Sequence, residues 1–277
     1  MTTAHAMTTS HAMTTAHAMT TAHVTEPAAA EGKYLYAIIA APAPERFAAP
    51  GIGGRGDVVH TLAMGPLAAV VSDTPHVEYD SNRRNMLAHT KVLEEVMAER
   101  TVLPVCFGSV ATDVEAITRK VLVDRRDELT TQLGLMRDRV ELGLKVSWRD
   151  NVVFEEVLNE NPAIRRLRDA LIGQSPDKSH FERMRLGEQI GQAMERKRFA
   201  DEQRVMDRVR PFVHSSKILK PVGDRMVFNG AFLVEAAREA DLDACVRAMD
   251  AEWNARLTFK YVGPVPPYNF VSLKIHW

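Results

Sequence analysis

Segment 139–148, RVELGLKVSW, alternates between apolar residues and polar residues or glycine over its whole length. The apolar positions are Val140, Leu142, Leu144, Val146 and Trp148. A period of two that persists for ten residues predicts a β-strand with one face in a core and the other, which carries Glu141 and Lys145, toward solvent. The fold must therefore include a sheet that is covered on one side.

The segments that precede it predict three strands, a helix, a strand and a second helix. YLYAIIA (34–40) is rich in β-branched and aromatic residues, and DVVHTLAM (57–64) meets PLAAVVSD (66–73) at a Gly-Pro pair that is typical of a turn between strands. TVLPVCFGSV (101–110) predicts a short buried strand. With segment 139–148 at its end, this order predicts helices on one face of a mainly antiparallel sheet, an α+β unit of modified ferredoxin-like type.

The two helices of this half are predicted from their apolar spacing. In the first, residues 82–100, the inner face is formed by Met86, His89, Leu93 and Val96. In the second, residues 113–136, an apolar stripe begins at Val114 and continues to Met136. Both stripes are expected to face the sheet.

The second half is also predicted to mix helices and strands. Residues 151–210 are strongly helical and include one long helix, 179–211, whose narrow apolar stripe is expected to pack inside the chain. A strand, a helix and two further strands follow, at 225–235, 238–255, 256–262 and 271–277. We therefore divide the chain into a repeat tail (1–32), an N-terminal α+β domain (33–150), and a helical segment with a C-terminal α+β domain (151–277).

The first 24 residues are four hexapeptides, MTTAHA, MTTSHA, MTTAHA and MTTAHV. Their apolar content is limited to Ala, Met and one Val, which is too little to offset the entropy of ordering, so a disordered tail is predicted. The four histidines, His5, His11, His17 and His23, recur every six residues, a spacing that aligns them on one side of an extended chain. The alternative for the tail is that these imidazoles bind a transition metal.

Charge and hydropathy narrow the classes of partner. The 277 residues include 35 basic and 36 acidic side chains, a balance that provides no overall field to attract nucleic acid or anionic lipid. No apolar run approaches the roughly 20 residues of a membrane-spanning helix. The two cysteines, Cys106 and Cys245, are far apart in the sequence and are expected to be reduced thiols of a cytoplasmic protein.

Motifs that carry chemistry are weak in this sequence. GIGGRG (51–56) matches the spacing of a dinucleotide-binding turn, but a proline-rich loop leads in and a strand follows, so no helix N-terminus is available for a pyrophosphate. The sequence contains no phosphate-loop, zinc-helix or nucleophile-elbow motif. His89, Cys106 and Cys245 are expected in cores. We therefore predict that the protein is not an enzyme and has no catalytic, cofactor-binding or metal-binding residues. The rival hypothesis is an enzyme that uses His89, Cys106 or the glycine-rich loop.

The segment YVGPVPPYNF (261–270) carries three prolines and three aromatic residues and contains no acid or base. Proline fixes φ and lacks an N–H, so the segment is expected to be stiff and extended. Such a segment can present side chains to a partner at a low ordering cost. The candidate partner-binding residues are Tyr261, Pro264, Pro266, Pro267, Tyr268 and Phe270. The alternative is a rigid corner whose aromatic residues fill the protein's own core.

Five blocks of the sequence resemble the gas vesicle GvpF/GvpL family. They are YLYAII (34–39), VLPVCFGSV (102–110), VELGLKVSW (140–148), NGAFLV (229–234) and FKYVGPVPPYNFV (259–271), in that order. Two positions depart from the family pattern: Val265 stands where a Trp is expected, and Cys106 stands where an Arg is usual. The resemblance extends from residue 33 to residue 277, and none of its motifs is catalytic.

The resemblance implies two ferredoxin-like units and an accessory protein of gas vesicles, the hollow protein-walled flotation organelles of aquatic microbes and archaea. It implies no reaction and no cofactor. The expected partners are the small hydrophobic shell protein and other gas vesicle accessory proteins. The protein is expected to meet them in the cytoplasm, at gas vesicles, during assembly. A further option is that it is retained in the vesicle as a minor component. The alternative function is a small-ligand-binding regulatory protein with a deep polar pocket between its domains.

Overall fold

The computed structural model describes residues 31–75, 78–271, 273–275 and 277. The four histidine-containing hexapeptides, and with them the predictions of a disordered or metal-collecting tail, lie outside these residues. The first strand begins at Gly32, one residue before the predicted start of the folded part.

The first antiparallel sheet contains six strands from the first 111 residues. They are β1 (Gly32–Ala40), β2 (Arg46–Pro50), β3 (Val58–Met64), β4 (Leu67–Thr74), β5 (Val102–Pro104) and β6 (Val110–Ala111). Their spatial order is β2-β3-β4-β1-β5, and β6 also pairs with β1. The β3–β4 pairing, in which Met64 lies opposite Leu67, confirms the predicted strand pair. The additional strand β2 is an edge strand that ends at Pro50, where the missing N–H of a proline is tolerated.

The helices of this half lie near their predicted positions, with one interruption. They are α1 (Arg83–Glu99), α2 (Val114–Ile117), a π-helical turn (Thr118–Val123) and α3 (Arg126–Met136). The Asn82 side chain caps α1 by accepting a hydrogen bond of 3.0 Å from the Asn85 N–H. Met86 and Val114, which were predicted to face inward, are each 41% exposed. Each lies in the first turn of its helix, before the first buried residue.

Helices cover both faces of the first sheet, whereas the sequence predicted cover on one face. On one side, α1 packs against a core that contains Tyr34 and Tyr36 of β1. On the other side, α2, the π-helical turn and α3 pack against a core that contains Leu35 and Ile38. Because every residue of β1 from Tyr34 to Ile39 is buried, the strand needs apolar cover on both of its faces.

Segment 139–148 forms β7 (Arg139–Trp148), which belongs to a second antiparallel sheet. The other strands of this sheet are β8 (Ser215–Ile218), β9 (Met226–Glu235) and β10 (Leu257–Val265), and the spatial order is β10-β7-β9-β8. Together with its helices the sheet has the βαββαβ order of a ferredoxin-like unit, which the first sheet does not have. β7 therefore begins the second unit and does not finish the first. The sequence did not predict this, because side-chain alternation determines which face of a strand is buried but not which strands pair with it.

Four helices accompany the second sheet. They are α4 (Val152–Glu160), α5 (Pro162–Leu171), α6 (His180–Val209) and α7 (Glu239–Trp253). α6 is the predicted long helix, and it packs inside the chain as expected. Its middle, at Ala193, contacts α4 and α5, and its last turns, at Val205 and Val209, pack into the core beneath the sheet.

A buried polar network joins these helices to the sheet. The Asp201 carboxylate of α6, which is 4% exposed, accepts hydrogen bonds of 2.8 Å from the Trp148 indole N–H and from Arg256. Arg256 also donates to Glu156 of α4, at 2.5 and 2.9 Å. The network therefore connects α4 and α6 with β7 and with the residue that precedes β10.

Candidate functional site

The proline-rich segment begins at a β-bulge near the end of β10. The β10–β7 pairing runs to Val262 opposite Gly143, is interrupted, and resumes with Val265 opposite Glu141. Gly263 lies in the bulge at φ +138°, and a Cβ there would approach the Leu142 side chain to 2.7 Å. Only glycine combines this backbone angle with so close an approach, and Pro264 fits the next position because a bulged residue need not donate to the ladder.

Residues 264–271, which we call the strap, then leave the second sheet. Pro266 and Pro267 are buried, and a tight turn follows in which the Phe270 and Val271 N–H groups donate to the Pro267 carbonyl at 3.0 and 2.9 Å. The two prolines limit the backbone of the strap, and the turn fixes its direction. The strap is therefore a rigid, folded connection and not an extended arm.

A buried carboxylate holds the strap to the second sheet. Glu141 of β7, which is 3% exposed, accepts hydrogen bonds from the Asn269 N–H at 2.8 Å and from the Asn269 side-chain amide at 2.5 Å. Burial raises the pKa of Glu141, and the two bonds from Asn269 act against that rise. The prediction that Glu141 faces solvent is wrong, because the strap, 128 residues later in the sequence, covers it.

Beyond the strap the chain enters the core of the first sheet. Val271 and Leu273 are 4% and 2% exposed there, and Phe270 and Ile275 pack partly against the same core. Leu273 forms a parallel bridge with Val105. Within the described residues, the strand predicted at 271–277 is reduced to this single bridge. The apolar side chains of this segment pack into the first core. The strap therefore ties the last residues of the chain to its first sheet.

One aromatic ring of the strap remains at the surface, beside α1. Tyr268 is 41% exposed and lies beside Thr90 of α1. Partial burial raises the pKa of Tyr268. Met86 and Leu87, which precede Thr90 by one helical turn and lie on its side of α1, are 41% and 50% exposed. We call Met86, Leu87 and Tyr268 the strap patch.

The structure distributes the predicted partner-binding residues over several environments. Pro264 and Tyr268 are exposed, whereas Pro266 and Pro267 are buried. Phe270 packs on the first core, and Tyr261 packs on the second. Burial raises the pKa of Tyr261 to about 12, and its buried hydroxyl has no hydrogen-bond partner among the described residues. Of the aromatic residues in the set, Tyr268 is thus the most accessible. The sequence pattern does not bring in Met86 and Leu87, because the placement of Tyr268 beside Thr90, one helical turn after them, exists only in the folded chain.

The glycine-rich loop, His89 and the residues after Cys106 meet in one buried aromatic cluster. The Ile52 N–H of the loop donates to the Tyr36 hydroxyl at 2.8 Å, and the rings of Tyr36 and His89 stack with centroids 5.6 Å apart. The Phe107 ring lies 5.6 Å from His89 on another side. Tyr36 and His89 are 0% and 2% exposed, so the cluster is part of a core.

His89 is held in this cluster as a neutral ring. Its Nδ1 lies 3.0 Å from the Tyr34 hydroxyl, which also accepts the Gly108 N–H at 3.0 Å. The simplest assignment has Tyr34 donate to Nδ1, so the proton of His89 is on Nε2, an atom without a partner among the described residues. Burial lowers the pKa of His89 from 6.5 to about 4.

We expect stability to fall as the pH decreases from 6.5 toward 4. In this pH range His89 takes up a proton in the unfolded chain but not in the folded protein. The stability that the neutral ring provides is therefore fully present above pH 6.5, and about 3 kcal/mol of it is lost near pH 4. Urea unfolding at several pH values measures this loss of stability. His89→Phe keeps a ring of similar size and should remove this part of the pH dependence. Equal losses in the wild type and the variant would contradict the assignment.

No group of three or more His, Cys, Asp or Glu side chains in the described part of the chain is placed to hold a metal ion. None of the helices described above is both long and apolar enough to cross a bilayer.

The family model that describes the gas vesicle synthesis proteins GvpL/GvpF matches residues 32–272. Gas vesicle protein F of Streptomyces sp. (strain CB03234) is 31% identical over 224 residues, which cover 80% of this chain and 91% of that protein. Gas vesicle protein F1 of Halobacterium salinarum is 28% identical over 229 residues, 81% of this chain and 86% of that protein.

Solved structures agree with these sequence matches. The crystal structure of gas vesicle protein GvpF from Anabaena sp. PCC7120 superposes with a TM-score of 0.77 at 24% identity and covers 88% of this chain and all of that one. GvpF from Microcystis aeruginosa superposes with a TM-score of 0.73 at 25% identity and covers 87% of this chain and 99% of that one. With the family model, the sequence matches and the fold in agreement, the chain belongs to the GvpL/GvpF family of gas vesicle synthesis proteins.

Proposed function

We propose that this protein is a non-enzymatic accessory factor of gas vesicle assembly that binds the small hydrophobic shell protein in the cytoplasm. The observation that carries the proposal is the strap patch: an exposed aromatic ring on a rigid support, beside two exposed apolar side chains of α1. Family membership supports the connection with gas vesicles. Other gas vesicle accessory proteins are the further partners that we propose.

The strap suits transient capture because its surface is already ordered. Pro266 and Pro267 restrict the backbone, and the Glu141–Asn269 hydrogen bonds hold it in place, so little entropy is lost when Tyr268 meets a partner. Tyr is also a common anchor at interfaces. A patch of three side chains lies below the size of a stable interface, so we propose that the protein binds and releases shell-protein monomers. The second outcome that we propose is that the protein is retained in the vesicle wall as a minor component.

Replacement of Leu87 and Tyr268 by Ala together should reduce capture of the shell protein at least about tenfold, because the patch loses its anchor and its largest aliphatic neighbour. A pull-down with tagged shell protein measures capture, and thermal unfolding measures stability, which should change little because both side chains are at least two-fifths exposed. Phe270 is left intact in this test because it packs on the first core.

Two controls make the capture experiment specific. Val222→Ala removes a side chain that is 73% exposed and lies outside the patch, so its capture should equal that of the wild type. Tyr268→Phe removes only the hydroxyl and keeps the exposed ring, so it should retain most of the capture. Unchanged capture by the Leu87/Tyr268 variant, or normal flotation of host cells that lack the gene, would overturn the proposal.

The non-enzymatic part of the proposal is supported by the buried aromatic cluster. The residues that a rival enzyme would use are brought near one another, but Tyr34, Tyr36 and His89 are at most 2% exposed, which gives a substrate no access to their polar atoms. The cluster is better explained as the core that seats the glycine-rich loop.

A small-ligand-binding regulatory function is the second candidate. One observation favours it: a groove of about 340 Å³ lies between the end of α1, the start of β7 and the strap, and Arg139 in its lining has a buried Nε without a hydrogen-bond partner among the described residues. A small organic anion that raises the melting temperature of the wild type, but not of an Arg139→Ala variant, would support this function over the first.

A further inference from the structure

The outer face of α6 carries two exposed phenylalanines on one line. The inner face contacts α4, α5 and the second core through residues such as Ala193 and Val205. Phe181 and Phe199 are 79% and 65% exposed on the opposite side, and Met184, one turn after Phe181, is 58% exposed. Eighteen residues equal five helical turns, so the two phenylalanines point the same way, about 27 Å apart. Large apolar side chains repeated on one exposed helix face indicate a contact surface.

We propose that this face pairs with the same face of a second copy of the chain, antiparallel, about a two-fold axis near residue 190. In this register residue i of one copy lies opposite residue 380 − i of the other, so each Phe181 meets the Phe199 of the second copy. An interface of this kind is self-complementary, and every contact occurs twice.

The charges on the face agree with this register. Arg185 of one copy lies opposite Glu195 of the other, so this facing pair, which occurs twice, is of opposite sign. Arg185 has no ion-pair partner within the described part of its own chain, whereas Glu195 is 66% exposed and pairs with Arg198 at its other side. The surface is therefore complementary to itself in charge as well as in its apolar positions.

Sedimentation velocity of the full chain over concentrations of about 5 to 300 µM tests the pairing, because one helix face makes an interface at the low end of stable sizes. We expect a reversible monomer–dimer equilibrium in this range. Arg185→Glu and Glu195→Arg should each weaken the dimer at least about tenfold, because each places two like-charged pairs across the axis. Phe199→Ala should weaken it to a similar extent.

The two charge variants also provide a test of the register. An equal mixture of Arg185→Glu and Glu195→Arg chains restores opposite charges at both contacts, so the mixture should dimerise although neither variant does so alone. Val123→Ala, which removes an exposed apolar side chain from the π-helical turn, should dimerise like the wild type, and circular dichroism should show that all variants are folded. A wild type that stays monomeric throughout, a dimer that the charge variants do not affect, or a mixture that stays monomeric would overturn the proposal.

Discussion

Ending the chain after Asn269 is expected to lower the free energy of unfolding by more than about 5 kcal/mol. Val271 and Leu273 are almost completely buried in the core of the first sheet, and Phe270 and Ile275 pack partly against it. Their removal takes away apolar burial and leaves a cavity, and one buried Leu alone is worth about 2–5 kcal/mol in such a core. The loss should therefore appear in the first sheet, although the deleted residues follow the second sheet in the sequence.

Urea unfolding measures the loss, and hydrogen exchange locates it. Amide protection should decrease in β1 and β4 before it decreases in β7 and β9. If the truncated chain does not fold, the single change Leu273→Ala should still cost about 2–4 kcal/mol. Lys274→Ala is the control, since the Lys274 side chain is exposed next to Leu273 and its loss should change stability by less than about 0.5 kcal/mol. A truncated chain with an unchanged unfolding midpoint would show that the terminal residues are not part of the core.

The second large effect is expected for Asp201→Ala, which should cost about 3–5 kcal/mol. The change leaves the buried Trp148 indole N–H without an acceptor and removes one of the two carboxylates that neutralise Arg256. A buried polar group that loses its partner retains the full desolvation penalty, which is why the loss exceeds the value of an ordinary hydrogen bond. Urea unfolding measures this change.

Asp150→Ala is the control for the Asp201 variant. Asp150 also pairs with an arginine, Arg225, but both side chains are more than three-fifths exposed, so the pair should contribute less than about 1 kcal/mol. Trp148→Phe in the Asp201→Ala background should cost less than it does in the wild type, because the indole has already lost its acceptor. Equal effects of Asp201→Ala and Asp150→Ala would show that the network does not hold α6 to the sheet.

Features with a short repeat in the sequence were predicted well. The strand at β7, the β3–β4 pair and the length of α6 all follow from contacts within a few residues, and the structure confirms them. The same periodicity was less reliable at helix ends. Met86 occupies an inner position of α1 by spacing, but the first buried residue of that helix is His89.

The candidate site was predicted only in part, because its parts come together over long distances in the sequence. The strap was recognised by its prolines and aromatic residues, yet its attachment depends on Glu141, whose place in an alternating strand predicted exposure. The position of Tyr268 beside Thr90 likewise joins distant parts of the sequence. Neither partner has a sequence signal that points to the strap.

From the sequence alone it was possible to determine the family, the α+β class and the positions of most helices and strands, because these depend on ordered motifs and on local periodicity. Only the tertiary structure decided that β7 begins the second sheet, that helices cover both faces of the first, and that the strap carries the end of the chain into the first core. The physical reason is the same in each case. Periodicity determines which face of an element is apolar, whereas the partner that covers that face is selected by packing among residues far apart in the chain.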